Sequence, residues 1–357
     1  MRSLSFIQDE AGGIAAQHSR YDAEVMRIFL ALLLVLIVVP GWSGEERLAL
    51  LNDRAQMTVT PVALDPRDPG VRRVGALTYL GGIRLNSRDP AFGGFSAMTL
   101  VGDRFTLLSD GGNVVRFRMG ADWRPYGLHF SYLPAGPGTG WEKRDRDSES
   151  MAMDPATGRI WVGFERANQF WRYAPDFKAA EGRVAPAAMK RWPENGGPES
   201  LARMPDGRFV TISEEAKVPK PHWRGPEALR LHSRIGLIFA GDPLAGRARR
   251  FGYMVAPRHD VADAVALPNG DLLVLERSFA LPFRFGNRIV RVAARDVAPG
   301  RVARGRLLAT LAAPLIHDNF EGMAVAREGG RTILWLVSDD NQFPLQRSLL
   351  LKFALDG

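Results

Sequence analysis

From residue 75 onward, apolar and polar positions alternate in short segments that recur in a fixed order. Five of them align: Phe95-Ser96-Ala97-Met98, Ser148-Glu149-Ser150-Met151, Pro198-Glu199-Ser200-Leu201, Ala262-Asp263-Ala264-Val265 and Phe320-Glu321-Gly322-Met323. Each places a polar, usually acidic residue before a small one and an aliphatic one. A turn rich in Gly or Asp follows, then an apolar run that closes on an acid: Asp110, Glu165, Glu214, Glu276 and Asp339. Strand, tight turn, strand predicts a hairpin, written five times.

The units start at 96, 149, 199, 263 and 321, a spacing slightly longer than a four-stranded propeller blade requires. Further strands are expected at 170–173 and 184–190, at 234–240 and 250–255, and at 288–293 and 306–311. The last unit supplies one further strand, 348–354, and the unclaimed stretch 75–85 lies before the first unit. Joining these two in one blade closes a ring and removes free sheet edges. The expectation is an all-β chain with a single five-bladed β-propeller. A sixth blade would need strands the pattern does not supply. No apolar stretch of helical period and ten or more residues separates the strands, which argues against α/β layering.

The N-terminal part follows another rule. Arg27 precedes an unbroken apolar run from 28 to 39, with small and turn residues after it. That is the layout of a secretory signal peptide, and the run is short for a spanning helix of about twenty residues. Residues 1–25 carry Asp9, Glu10, Asp22 and Glu24 and make a poor leading region, so the natural start is read at Met26 and 1–25 as a start-site artefact or extended leader. The expected organisation is a signal peptide or uncleaved anchor at 26–44, a linker at 45–72 and the propeller at 73–357. The body of the protein is then periplasmic or secreted, or held at the inner membrane by that anchor.

Composition narrows the chemistry. The chain has no cysteine, which removes disulfides, thiolate metal sites and a cysteine nucleophile. Its net charge of +8 comes mainly from arginine, but no stretch interleaves bases with aromatics, so no nucleic-acid partner is expected. There is no Gly-x-Ser-x-Gly, no His-Glu-x-x-His and no phosphate-cradling loop.

The first strand of a propeller blade lines the central channel, so the repeated polar position should converge on the axis. Those residues are Ser96, Glu149, Glu199, Asp263 and Glu321. The acids closing the second strands lie at the opposite end of an antiparallel neighbour or in its outgoing loop. Crowded carboxylates need a cation, protonation or arginine partners to coexist. All-oxygen clusters suit calcium first and magnesium second. The expected metal ligands are Glu149, Glu199, Asp263, Glu321 and Asp339, with Glu149 and Glu321 also placed in the catalytic centre. Arg166, Lys217, Arg277 and Asn341 follow the closing acids and would receive a small anionic or ester substrate. The same acids could instead cap turns by bonding backbone amides. Asp145-Arg146-Asp147-Ser148-Glu149 spaces acids two apart like a calcium loop, but lacks the glycine and distal glutamate of an EF-hand.

Gly93-Gly94-Phe95-Ser96, Leu107-Leu108-Ser109-Asp110, Gly197-Pro198-Glu199-Ser200-Leu201-Ala202, Asp318-Asn319-Phe320-Glu321-Gly322-Met323-Ala324, Val337-Ser338-Asp339-Asp340-Asn341 and Gln346-Arg347-Ser348-Leu349-Leu350 appear in that order. Together they resemble the bacterial phytase-like family with esterase-like activity, over roughly residues 75–355. The resemblance implies a propeller, an exported location and hydrolysis of phosphate or other esters. Propeller phytases have six blades and a dense calcium site, and this chain does not reproduce their full acid-rich motif. The functional expectation is a divalent-metal-dependent hydrolase of phosphoesters or related esters. A non-catalytic ligand- or protein-binding propeller and a calcium-dependent lactonase are the alternatives.

Overall fold

The computed structural model describes residues 25–35, 47–281 and 284–356. Two units separate, residues 1–45 and 46–357. In the first, residues 25–35 form a helix whose side chains are all exposed. No helix among the described residues is long and apolar enough to cross a membrane. The remainder of the 26–44 segment lies outside the described residues.

The second unit is five sheets, antiparallel except for one short parallel edge strand. Strands β1 (Thr58–Pro61), β2 (Arg73–Val74) and β3 (Leu77–Asn86) precede the first repeat. Blade 1 holds β4 (Phe95–Val101), β5 (Arg104–Ser109), β6 (Asn113–Met119) and β7 (Pro125–Tyr132). Blade 2 holds β8 (Ser148–Met153), β9 (Ile160–Phe164), β10 (Gln169–Tyr173) and β11 (Ala180–Val184). Blade 3 holds β12 (Ala202–Arg203), β13 (Phe209–Ile212), β14 (Ser233–Phe239) and β15 (Ala248–Met254). Blade 4 holds β16 (Asp260–Ala266), β17 (Leu272–Ala280), β18 (Arg284–Val292) and β20 (Arg306–Leu311). The short β19 (Val302–Ala303) leaves blade 4 to pair in parallel with β15, covering the outer edge of blade 3. Blade 5 holds β21 (Asn319–Glu328), β22 (Arg331–Asp339) and β23 (Leu349–Leu355), and β3 completes it.

The expected closure is present: β23 pairs antiparallel with β3, Leu349 opposite Arg84 and Leu355 opposite Leu77. The stretch 45–72, expected as a linker, contributes β1, which pairs with the outer side of β3 from Thr58↔Asn86 to Pro61↔Ile83. The strand expected at 184–190 begins earlier. β11 ends at Val184, and Pro186 starts a 3-10 turn over Ala187–Met189 because proline cannot donate to the ladder.

The inner strands β4, β8, β12, β16 and β21 follow one another around the axis, and β21 meets β4 to complete the circle. Five apolar clusters fill the five junctions between blades. Strand β22 shows why these segments read as unbroken apolar runs. Leu334 and Leu336 face blade 4, while Ile333, Trp335 and Val337 face blade 1. Side chains alternate between faces, and here both faces are buried.

Candidate functional site

In an antiparallel hairpin the start of one strand lies beside the end of the next. Ser148 is opposite Phe164, and Asn319 opposite Asp339. The acids at the repeat position and the acids closing the second strands therefore gather at the same mouth of the channel. The opposite mouth is lined by turns and by apolar residues such as Met98, Met151 and Val325, around a cavity of about 380 Å³.

A bulge at the start of the inner strand aims the repeat residue. The ladder skips Ser96 in β4, Glu149 in β8 and Glu321 in β21, leaving each unpaired in the ladder. In blade 4 the skipped residue is Ala262, so Asp263 stands one place later than the aligned repeat implies. A one-residue slip moves a side chain to the other face. Asp263 accepts the amide N–H of Ala264 at 2.7 Å and that of Met323, in blade 5, at 2.7 Å. Its carboxyl is buried and pushed well above the usual range by desolvation, which those two amides oppose. The expectation that Asp263 joins the axial acids is corrected: it ties blade 4 to blade 5.

Ser96 is also structural, donating to Ser148 O at 2.6 Å. Glu276 is buried at the junction of blades 3 and 4, where Tyr253 Oη of blade 3 donates to it at 2.6 Å and Arg288 of blade 4 lies 3.0 Å away. Blade 4 thus adds no acid to either triad; its Asp260, opposite Arg277 in the ladder, pairs with Arg234. The blade contributes a cation instead, Arg277.

Oxygen atoms of Asp147, Glu149 and Glu165 all lie within 4.8 Å of one another, and so do those of Glu165, Glu199 and Glu214. Glu165 belongs to both triads. Gly196, whose φ of +124° favours glycine, donates its N–H to Glu165 Oε1 and fixes that side chain. Glu165 and Glu199 approach closely enough to bear on each other's charge.

Burial raises all of these carboxyls. Glu149 stands well above the usual range through desolvation and then repulsion from Glu199 and Glu321. Glu199 is raised likewise, with Glu214 and Glu165 as its main repelling neighbours. Glu214 is pushed up to about 7 by burial, although Arg277 pulls it down. Asp339 is raised well above the usual range by burial and by Glu321.

Glu321 and Asp339, expected as ligands, lie outside both triads. Arg277 donates to Glu321 Oε1, to Asn319 Oδ1 at 2.8 Å and to Glu214 Oε1 at 3.1 Å. Burial disfavours its charge, but Glu321, Glu214 and Glu199 outweigh that and hold the guanidinium protonated. Asp339 Oδ1 accepts the Asn341 amide at 2.6 Å. Asp110 pairs with Lys143 at 2.8 Å.

The other expected substrate contacts divide. Arg166 Nε lies 2.7 Å from Asp147, beside the first triad. Lys217 is exposed on the loop after β13. Asn341 is exposed and donates its side-chain amide to Gln346 at 2.8 Å. Asp147, Glu165 and Glu214 did not enter the expected ligand set. The hairpin pairing was the signal that could have placed them there, since it sets Glu165 beside Asp147 and Glu214 beside Gly197, next to the repeat acids Glu149 and Glu199.

Solved structures similar in fold include Kuenenia stuttgartiensis hydrazine synthase (11% identity, 71% of this chain and 58% of that one, TM-score 0.34). Myxococcus xanthus glutaminyl cyclase is another (10% identity, 87% and 97%, TM-score 0.40). A third is PQQ-bound aldose sugar dehydrogenase from Streptomyces coelicolor (12% identity, 85% and 99%, TM-score 0.39). Likenesses this remote carry no functional weight. No curated protein sequence matches the chain. One family does match, described as phytase-like with the esterase-like activity of phytase, over residues 90–342. That span covers the five repeats and both acid triads, and the chain belongs to the phytase-like family.

Proposed function

We propose that this protein is an exported hydrolase of phosphoesters or related esters that depends on a divalent cation held at the acid mouth. The observation that carries the reading is Glu165, shared by two carboxylate triads whose oxygens lie within 4.8 Å. Oxygen ligands at 2.3–2.6 Å from calcium lie up to about 5 Å apart across the ion, so either triad has a fitting span. The donors are all carboxylate, the set that hard cations prefer. Asp147, Glu149, Glu165, Glu199 and Glu214 would hold the ion, which would supply a polarised ester oxygen and an activated water. Arg166, at the edge of the first triad, offers a guanidinium to an anionic substrate. The fold and the family support a hydrolase-type propeller. The apolar run at 28–39 supports export.

Arg277 favours a second reading, a binding propeller without catalysis, because it already neutralises Glu321 and Glu214. A panel of phosphomonoester, carboxyl-ester and lactone substrates, with calcium and with chelator, separates the readings. Calcium-dependent turnover of the phosphomonoester or carboxyl ester is expected. Turnover of the lactone alone would assign a lactonase, and turnover of none would favour the binding propeller.

A further inference from the structure

We propose that the acid-mouth face of the propeller docks on an anionic lipid surface. Large apolar side chains are unevenly exposed over this unit. At the acid mouth, Trp141 is 60% exposed before β8, Phe279 53% and Leu281 82% on the β17–β18 hairpin, and Leu345 69% between β22 and β23. Leu231, in the β13–β14 loop, is exposed as well. These residues come from loops spread around the ring. At the turn mouth, the exposed large apolar residues among the described ones are Val101, Tyr126 and Leu307.

A rim that exposes Trp, Phe and Leu without covering them matches the chemistry of a membrane interface. Charge selects the kind of surface. On the same loops and at the start of β18, the exposed cations Arg144, Lys217, Lys220, Arg224 and Arg284 outnumber the exposed acids Glu215 and Glu227. Cations among apolar side chains favour anionic headgroups. The acids at the axis lie within the mouth rather than on its rim.

The path of the chain gives an independent reason. The propeller begins on this same face: the Leu48 amide donates to Trp141 O at 3.0 Å, and the Arg47 guanidinium stacks 4.4 Å over the Trp141 ring. The apolar run ends at Val39, eight residues before Arg47. Eight extended residues reach about 29 Å at most. A chain whose apolar run enters a bilayer would therefore keep this face close to that bilayer. The proposal does not depend on hydrolysis.

The test is hydrogen exchange of the full chain, alone and with vesicles of phosphatidylcholine and phosphatidylglycerol. Amides of the β17–β18 hairpin and of the loop at 343–346 should exchange at least fivefold more slowly on vesicles. Those around Val101 and Tyr126 should not change. Pure phosphatidylcholine or high salt should weaken the protection, and the double variant L281S/L345S should lose most of it. Co-sedimentation without protection at these loops, equal protection of both mouths, or no vesicle binding would overturn the proposal. So would protection that appears without vesicles as protein concentration rises, which would mean a second copy covers the face. Should the double variant fail to fold, the contrast between the two mouths in the unaltered chain still decides.

Discussion

The guanidinium of Arg277, on β17 of blade 4, lies 3.1 Å from Glu214 Oε1, beyond the end of β13 in blade 3. It also meets Glu321 of blade 5, so one side chain spans three blades at the acid mouth. Where the repeat would have supplied a fourth axial acid, blade 4 supplies the countercharge.

Arg277→Gln should therefore be costly at neutral pH. Removing one partner of a buried ion pair costs about 3–5 kcal/mol, and the partial exposure of this side chain places the loss near the lower end. Urea unfolding at pH 7.5 measures it. The loss should shrink toward pH 5, as Glu214 and Glu321 take up protons and no longer need the cation. An equal loss at both pH values would contradict the assignment of Arg277 as countercharge.

The raised carboxyls fix the sign of the pH dependence without metal. Glu214 has an ordinary value of 4.5 and a folded value of about 7, so between these the folded state holds more protons than the unfolded one. Its contribution to stability therefore falls as pH rises through that window, and Glu149, Glu199, Glu321 and Asp339 shift in the same direction. Surface acids with lowered values, such as Asp103 and Asp271, act below that window. In chelator, the melting temperature should be higher at pH 5.5 than at pH 8, and calcium should narrow the gap. Chelated protein that is more stable at pH 8 would refute the account of the acids.

Closure gives a third prediction. Strand β23 lies between β22 and β3, so deleting residues 348–357 exposes an edge on each. The truncated chain should aggregate or fail to fold. Leu351, fully buried at the blade 4–blade 5 junction, gives a milder probe: Leu351→Ala should cost about 2–5 kcal/mol in thermal or urea unfolding. A truncated chain that remains monomeric with an unchanged melting temperature would rule out closure through β23.

The architecture was legible because it is written five times. Turn glycines such as Gly207 and Gly270 and the apolar runs after them mark each hairpin, and the unclaimed strand before the first unit left one way to close the ring. The site was legible only in part. Val261-Ala262-Asp263-Ala264 can be laid on Ser148-Glu149-Ser150-Met151 in either of two registers, and the bulge that selects one depends on the pairing with β17. Arg277 was visible as a base following an acid. Its three partners lie 42, 44 and 63 residues away, so its role as countercharge appears only once the blades are arranged. Asp147 looked like part of a degraded calcium loop, and only its position beside Glu165 places it in a triad.

Asp263→Asn separates the structural acid from the axial ones. An amide side chain can accept only one of the two backbone N–H groups that the carboxyl now satisfies, so about 1–3 kcal/mol of stability should be lost. The response of the melting temperature to calcium should be unchanged. A variant that loses the calcium response would return Asp263 to the metal site.

The most direct measurement is the calcium dependence of the melting temperature of the unaltered chain and of Glu165→Gln, at pH 7.5 after treatment with chelator. A cation that binds only the folded state adds about 2.7 kcal/mol at a hundredfold excess over its Kd, roughly 5 °C for a domain of this size. The unaltered chain should show that rise. Glu165→Gln removes the carboxylate common to both triads and should lose most of it while remaining folded. No response of the unaltered chain to calcium, magnesium or manganese, or a full response in Glu165→Gln, would contradict a metal-holding acid mouth.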